Sequence, residues 1–174
     1  MKGLVKLILI ITIMAFGNVV MGQNTLKLGH IRSDELFASM PESDSAQKKL
    51  EKIAQQYEQT LEELQVELNK KYDDYLKQSQ DASVGELILR TKEEEISTLQ
   101  QRIQSFQQEA QNEISRKRSE LFKPIQDKAL KAVSDVAREN GFTYIFDMAV
   151  GTIVFAADNT IDILPMVKKK LGLE

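Results

Sequence analysis

The long-helix character of this 174-residue chain is set by LEKIAQQYEQTLEELQVELNKKYDDY, residues 50–75. Apolar residues recur in this stretch at spacings of 3, 4, 4, 3, 4, 4 and 3. They are Leu50, Ile53, Tyr57, Leu61, Leu64, Leu68, Tyr72 and Tyr75. The pattern is an eleven-residue repeat with about 3.67 residues per turn, so the apolar stripe stays nearly straight along a helix. One long amphipathic helix is therefore predicted.

A second segment carries the same repeat. Its apolar residues fall in two columns with a period of eleven residues, Ile88, Leu99, Ala110, Leu121 and Ala132, and Ile103, Ile114, Ile125 and Val136. The two stripes are interpreted as the seam between two antiparallel helices, while Glu, Lys, Gln and Arg solvate the outer faces. The helices are predicted over residues 41–80 and 83–140, which gives lengths of roughly 60 and 85 Å.

The boundaries of these helices are marked by small and polar residues. The cluster at residues 79–83 separates the two helices, and Ser83 with Glu86 is typical of a capping box at the start of the second. Pro124 lacks an N–H and crowds the preceding turn, so we predict a bend and a hinge there. Asn140 and the glycine after it are predicted to end the helix.

The two ends of the chain have the character of strands. Residues 26–31 alternate apolar and polar, which predicts a half-buried strand. Residues 142–147 and 152–156 are rich in β-branched and aromatic side chains, and we predict a hairpin of two strands around Gly151. A short helix is predicted over residues 165–171.

A short helical turn is predicted behind the first strand. It includes Leu36 and Phe37, and Ser33 or Asp34 is expected to cap it. The strands and short helices together make about fifty residues, too few for a stable domain. We therefore expect other copies of the chain to complete the sheet.

The predicted fold class is α+β, with a long antiparallel helical hairpin projecting as an arm from a small β body. The arm is placed at residues 41–124, with its tip near residues 79–85. The body is placed at residues 23–40 and 125–174. Residues 1–22 are assigned to a signal peptide.

The signal peptide is predicted from a basic start and a short apolar run. Lys2 and Lys6 precede the apolar residues 7–16, and small residues lead to an expected cleavage near Gly22. A retained anchor helix is the alternative. Cleavage would leave 21 of the 23 basic residues against 26 acidic ones, a net charge of −5, in a protein that works outside the cytoplasm.

Composition excludes several classes of function. The chain has no Cys, which removes disulfides, thiolate metal sites and cysteine nucleophiles. The single histidine, His30, is interpreted as a packed or partly exposed side chain and not as a ligand. No nucleophile with an adjacent base and no glycine-rich phosphate loop is present, so we expect no enzyme activity, no cofactor and no metal. A pI of about 5.4 argues against a nucleic-acid partner.

Two charged runs are candidate binding sites. The side chains of residues 93–95, three consecutive glutamates, point about 100° apart on a helix and cannot converge on one cation. Residues 116–118 with Lys123 form the strongest basic cluster, which could contact an acidic partner or lipid. The preferred interpretation of both runs is a solvated helix face.

The order of these features resembles the Skp/OmpH family of periplasmic chaperones. The resemblance covers the whole predicted mature chain and is carried by residues 27–31, 40–42, 95–108, 121–125, 137–142, 162–163 and 167–172. It implies a homotrimer with a central β barrel and three projecting arms. It also implies that the chain acts in the periplasm as an ATP-independent holdase for unfolded outer-membrane β-barrel proteins.

The acidic charge departs from the strongly basic members of that family, which leaves open only a weak contact with the membrane surface. Client contact is expected near the tip of the arm, away from the seam. The candidates are Tyr75, Leu76, Val84, Leu87 and Leu89, with ordinary packing of the tip as the alternative. The rival function is a structural coiled-coil spacer or adaptor of the envelope.

Overall fold

A computed structural model describes residues 26–157 and 159–173 of the chain. In chain order the elements are β1 (Leu28–Ile31), α1 (Ser33–Ser39), α2 (Pro41–Ser79), α3 (Glu86–Glu139), β2 (Tyr144–Asp147), β3 (Ile161–Asp162) and α4 (Leu164–Leu171). A long helical hairpin with a small strand body confirms the predicted fold class. The predicted signal peptide and its cleavage near Gly22 lie outside the described residues.

The hairpin arm is formed by α2 and α3, of 39 and 54 residues. Their lengths correspond to roughly 60 and 80 Å. A cluster of buried residues fills the seam between them toward the tip, and it consists of Leu64, Leu68, Ile96, Leu99 and Ile103. Most of these residues belong to the predicted columns, so the stripe is the seam of the hairpin, as predicted.

The body has a separate hydrophobic core to which the root of α3 contributes. Its buried members are Ile31, Leu36, Met40, Ala46, Ile125, Ala129, Ala132, Val136, Ile163, Leu164 and Val167. The apolar columns of α3 therefore pack against two different parts of the structure. Toward the tip they pack against α2, and from Ile125 onward they pack against the strands and short helices of the body.

The sheet has the order β2-β1-β3, and both pairings are parallel. The predicted hairpin between residues 142–147 and 152–156 is therefore wrong. Residues 152–156 form no strand, and the third strand is Ile161–Asp162 instead. The physical reason is that β1 uses both of its edges for parallel partners, and a parallel partner needs a longer connection than a tight turn provides.

The capping box predicted at the start of α3 is also wrong. The helix begins at Glu86 with Gly85 as its N-cap, which makes no side-chain cap hydrogen bond. Ser83 belongs to the preceding turn, where its backbone N–H and its hydroxyl both donate to Asp81 Oδ1, at 2.9 and 2.6 Å. These bonds lower the pKa of Asp81. The competing Asp turn holds Ser83 away from the helix.

The prediction that Ser33 or Asp34 caps α1 is wrong for a similar reason. The N-cap is Arg32, with no side-chain cap bond, and Ser33 is already the first helical residue. The Ser33 backbone N–H donates to Asp147 Oδ1 at 3.2 Å, so a carboxylate from β2 satisfies the start of the helix. Asp34 instead pairs with Arg32 at 2.6 Å.

One glycine of the body is required by close packing. A β-carbon at Gly29 would stand 2.8 Å from Phe142 Cε1 and 3.0 Å from Ile145 Cδ1. The Phe142 ring is held there by Lys27, whose Nζ lies 4.4 Å from the ring centroid and donates to the Asn140 carbonyl at 2.7 Å. The central strand can approach the end of α3 this closely only without a side chain.

No helix within the two described ranges is both long enough and apolar enough to cross a membrane.

Candidate functional site

The far end of the arm exposes large apolar side chains. Leu87 is 77% exposed, Leu76 is 53% exposed and Ile88 is 52% exposed. Val84 and Leu89, which were also expected to contact clients, are half-buried. Because burial of apolar surface is the main source of non-specific affinity, this end can offer contact to another apolar chain.

Tyr75 differs from the other expected contact residues. It is half-buried and packs against the arm cluster, and its hydroxyl donates to the carboxylate of Glu93 on the opposite helix. That hydrogen bond raises the pKa of the Tyr75 phenol. Tyr75 therefore ties α2 to α3.

Ile88 is the apolar tip residue that sequence reasoning assigned to the seam. Lys92 pairs with Asp74 across the hairpin, and Ile88 lies one helical turn nearer the tip than Lys92. It is therefore level with the polar last residues of α2, which end at Ser79. The apolar repeat of α3 extends to Ile88, but the residues of α2 at this level are polar. Ile88 therefore has no apolar partner on α2 and faces solvent. The absence of an apolar residue opposite it was the signal in the sequence.

Charged side chains link the two helices in the half of the arm nearer the tip. Lys71 Nζ lies 2.7 Å from Glu95 Oε2, and Lys92 pairs with Asp74. Each lysine donates a hydrogen bond to its carboxylate and thereby lowers the pKa of Glu95 and of Asp74. The bond to Glu95 also raises the pKa of Lys71. These pairs hold the tip-forming ends of both helices together.

The three consecutive glutamates of α3 each point to a different neighbour. Glu93 accepts from a tyrosine, Glu94 pairs with Arg90 at 3.3 Å, and Glu95 pairs with Lys71. Across residues 26–157 and 159–173, no group of three or more His, Cys, Asp or Glu side chains is placed to hold a metal ion.

Three of the four cations in the basic run of α3, Arg116, Lys117 and Lys123, are paired within their own helix. Arg116 and Lys117 both pair with Glu120, at 2.6 and 3.0 Å. Lys123 pairs with Asp127 one turn further along, at 3.1 Å. Because these cations already have carboxylate partners four or three residues away, the run presents a mixed surface with little excess positive charge.

Pro124 lies at the root of the arm, inside a helix that continues unbroken to Glu139. It lines a groove of about 450 Å³ together with Pro41, the first residue of α2. Lys128 pairs with Glu42 across the same groove. The predicted hinge residue thus stands where the arm leaves the body core.

The body exposes a second apolar surface on one face of its sheet. Leu28 of β1 is paired in register with Tyr144 of β2, and His30 with Phe146. Leu28, Tyr144 and Phe146 are all exposed, and the two aromatic rings stack with centroids 6.4 Å apart. His30 is half-buried, and its Nδ1 has no hydrogen-bond partner among the described residues. The sheet face is therefore apolar and uncovered in a single chain.

Two large apolar side chains outside the sheet are also exposed. Val154 is 95% exposed and Phe155 is 79% exposed, in the stretch that was expected to be a strand. Exposed apolar surface can mark a site of contact with another chain, so these two side chains are candidates for such contact.

Comparison with known families identifies the chain. The sequence model of the family described as "Outer membrane protein (OmpH-like)" matches residues 27–171, which is most of the described length. The chain belongs to the OmpH-like family. The family resemblance drawn from the sequence is thereby confirmed.

The OmpH-like fold is also seen in a solved structure. A crystal structure from Caulobacter crescentus CB15, described as an OmpH-like outer membrane chaperone, matches with a TM-score of 0.70. The match covers 87% of this chain and 86% of that one, at 14% sequence identity. At this identity the similarity shows that the fold is shared. No curated protein matches the chain in sequence.

Proposed function

We propose that this OmpH-like protein is an ATP-independent periplasmic holdase, which binds unfolded outer-membrane β-barrel proteins and prevents their aggregation. The observation that carries the proposal is the exposed apolar end of the arm, formed by Leu76, Leu87 and Ile88. A holdase needs many weak contacts on an open surface, so that the client is kept soluble and later released. An exposed apolar end on a long arm meets that need.

The family supports a chaperone role, since a structure with the same fold is described as an outer membrane chaperone. The pockets found on the described part of the chain are open grooves along the arm and body, without the enclosed, convergent polar groups typical of an active site. This surface suits contact with an extended chain.

The proposal includes self-association as a homotrimer. The supporting observation is the apolar sheet face of Leu28, Tyr144 and Phe146, together with the exposed Val154 and Phe155. Covering these side chains would remove apolar surface from water, and copies of the chain are the natural cover for a body this small. Three arms around one body would enclose a client on several sides.

Dilution of a urea-unfolded outer-membrane β-barrel protein into buffer tests the function. The chain without residues 1–22, at a near-stoichiometric ratio of trimer to client, is expected to suppress light scattering. An unrelated helical hairpin protein at equal concentration is the control. Scattering equal to that of the control would show that the chain is no holdase and would favour a structural spacer.

A further inference from the structure

One face of α3 is uncharged over five turns in the middle of the arm. Between residues 97 and 115 the side chains within an arc about 160° wide, at about 100° per residue, are all amides or hydroxyls. They are Ser97, Gln100, Gln101, Gln104, Ser105, Gln107, Gln108, Gln111, Asn112 and Ser115, and every one is exposed. We call this surface the amide face. The charged residues of the same stretch, Arg102, Glu109 and Glu113, lie outside the arc.

The amide groups of this face are largely free. Gln100 donates to the Tyr72 hydroxyl at 2.7 Å, and Gln108 donates to Asn112 Oδ1 at 3.3 Å. Within the described ranges, the side chains of Gln101, Gln104, Gln107 and Gln111 make no hydrogen bond to another protein group. They therefore present donors and acceptors to whatever approaches the arm.

The fold does not require this composition. Glutamine is a good helix former, but Glu and Lys are equally good and add stabilising pairs four residues apart. The same helix uses such pairs above and below the amide face, as in Arg90 with Glu94 and Lys123 with Asp127. An uncharged run of this length in a chain with 28% charged residues points to a partner that is itself uncharged.

We propose that the amide face binds the backbone of extended, unfolded polypeptide segments. The inference rests on the proposed holdase function and names a surface on which that function acts. A carboxamide carries two donors and an acceptor, and each peptide unit of an unfolded chain offers a donor and an acceptor in return. The match is one of hydrogen bonding between two neutral groups, so it is independent of client sequence.

The dimensions of the face agree with an extended segment as its occupant. From Ser97 to Ser115 the helix rises about 27 Å, which equals about eight residues of extended chain. Each contact exchanges a hydrogen bond with water for a hydrogen bond with protein, so each adds little to the free energy of binding. Binding therefore stays reversible. A holdase needs that property to release its client.

The deciding experiment measures affinity for a fluorescently labelled, urea-unfolded outer-membrane protein after dilution. The variant replaces Gln104, Gln107 and Gln111 with alanine. The matched control replaces three exposed glutamines of the other helix, Gln55, Gln56 and Gln59 of α2, with alanine. We expect the first variant to raise Kd at least fivefold and the control less than twofold. Circular dichroism confirms that both remain helical, and alanine favours the helix.

A second measurement separates backbone from side-chain contact. A soluble peptide taken from the client is titrated against the wild type with and without N-methylation of alternate peptide units. Methylation removes donors and leaves the side chains, so it is expected to weaken binding to the wild type several-fold and to have little further effect on the Gln104/Gln107/Gln111 variant. Binding to both should change little between 50 and 500 mM salt.

Several results would overturn the inference. One is an equal rise in Kd for the two triple variants, and another is a Kd that N-methylation of the peptide leaves unchanged. A third is a changed association state of the Gln104/Gln107/Gln111 variant in sedimentation, which would make a second copy of the chain the occupant of the amide face. If the wild type suppresses aggregation and both variants match it, the holdase function stands and the amide face is wrong. If the wild type binds the peptide as expected but suppresses no aggregation, the amide face stands and the holdase function is wrong.

Discussion

The ammonium group of Lys71 on α2 lies 2.7 Å from the carboxylate of Glu95 on α3. Together with the pair of Lys92 and Asp74, it links the two helices near the tip, where the apolar seam thins out. The lowered pKa of both carboxylates means that each binds protons less readily in the folded chain than in the unfolded one. Their contribution to stability is thus present above their unfolded pKa values and is lost as the pH falls through their folded ones.

The arm should therefore melt at a lower temperature at pH 3 than at pH 6. The relevant window lies below about pH 4, where aspartate and glutamate become protonated. Circular dichroism of the whole protein, whose signal comes mainly from the helices of the arm, measures the melting temperature. A variant with Asp74→Asn and Glu95→Gln is expected to have a lower melting temperature than wild type at pH 6. Its melting temperature should also fall less than that of wild type between pH 6 and pH 3. If the melting temperature of the variant falls as much as that of wild type, other carboxylates cause the acid destabilisation.

Gly29→Ala should destabilise the body without changing the arm. The added methyl group would clash with the Phe142 ring at 2.8 Å, and such overpacking costs about 1–3 kcal/mol. Urea unfolding measures the loss. Gly85→Ala is the comparison, because a β-carbon at Gly85 meets nothing within 4 Å and its backbone is in the ordinary extended region. Gly85 is the N-cap of α3, where alanine is less favourable than glycine, so we expect a loss from this variant that is smaller than the loss from Gly29→Ala. Equal losses in the two variants would contradict the close packing at Gly29.

The apolar end of the arm should contribute to client affinity. Replacing Leu87 and Ile88 with glutamine removes exposed apolar surface and keeps good helix formers, so folding should be unaffected. We expect the Kd for an unfolded β-barrel client to rise about three- to tenfold, since burial of one large apolar side chain is worth about 1.5–3 kcal/mol when complete. Val66→Gln, also an exposed apolar position on the arm, is the control. An unchanged Kd would favour the view that the tip residues only pack locally.

Ile103→Ala should destabilise the arm itself. Ile103 is buried in the seam cluster, and truncation of a buried isoleucine costs about 2–5 kcal/mol. Leu130→Ala is a useful comparison, because Leu130 lies on the same helix and is 65% exposed. This substitution should lower the free energy of unfolding by well under about 1 kcal/mol. Chemical unfolding followed by circular dichroism reports both. Equal effects would mean that the seam contributes no more to stability than the surface does.

Pro124→Ala should narrow the range of arm positions. Alanine restores the N–H that proline lacks and removes the clash with the preceding turn, so the root of the arm becomes stiffer. Distances between spin labels on the tip and on the body measure this spread. Ser119→Ala, at an exposed position five residues nearer the tip, is the control. An unchanged spread would place the flexing elsewhere along the hairpin.

Much of the fold is visible in local pattern. The repeat that begins at Leu50 predicts the helices and their seam because it depends only on neighbouring residues in one helix. The end of α3 is equally local. Gly141 has a positive φ of 68°, and the Phe142 N–H returns to the Ala137 carbonyl at 2.9 Å. Glycine tolerates that backbone, so the stop at residues 140–141 was predictable.

The errors arose where a group could pair with more than one partner, near or distant in the sequence. Ser83 bonds to Asp81 instead of capping α3, and Asp147 of β2 satisfies the start of α1 in place of a local side chain. Residues 152–156 have the composition of a strand, yet β1 takes β2 and β3 as its partners. No local pattern indicates which of several possible partners is used.

The sequence by itself determined the hairpin, its seam and the small strand body, because helical periodicity is a property of residues within a few turns of one another. It also carried the amide face, as an uncharged run at helical spacing. Only the tertiary structure decided that Ile88 is exposed, that Tyr75 is tied to Glu93, and that the sheet is parallel. Those outcomes depend on which residues of a distant segment lie opposite, and pairing over long range is set by the packing of the whole chain.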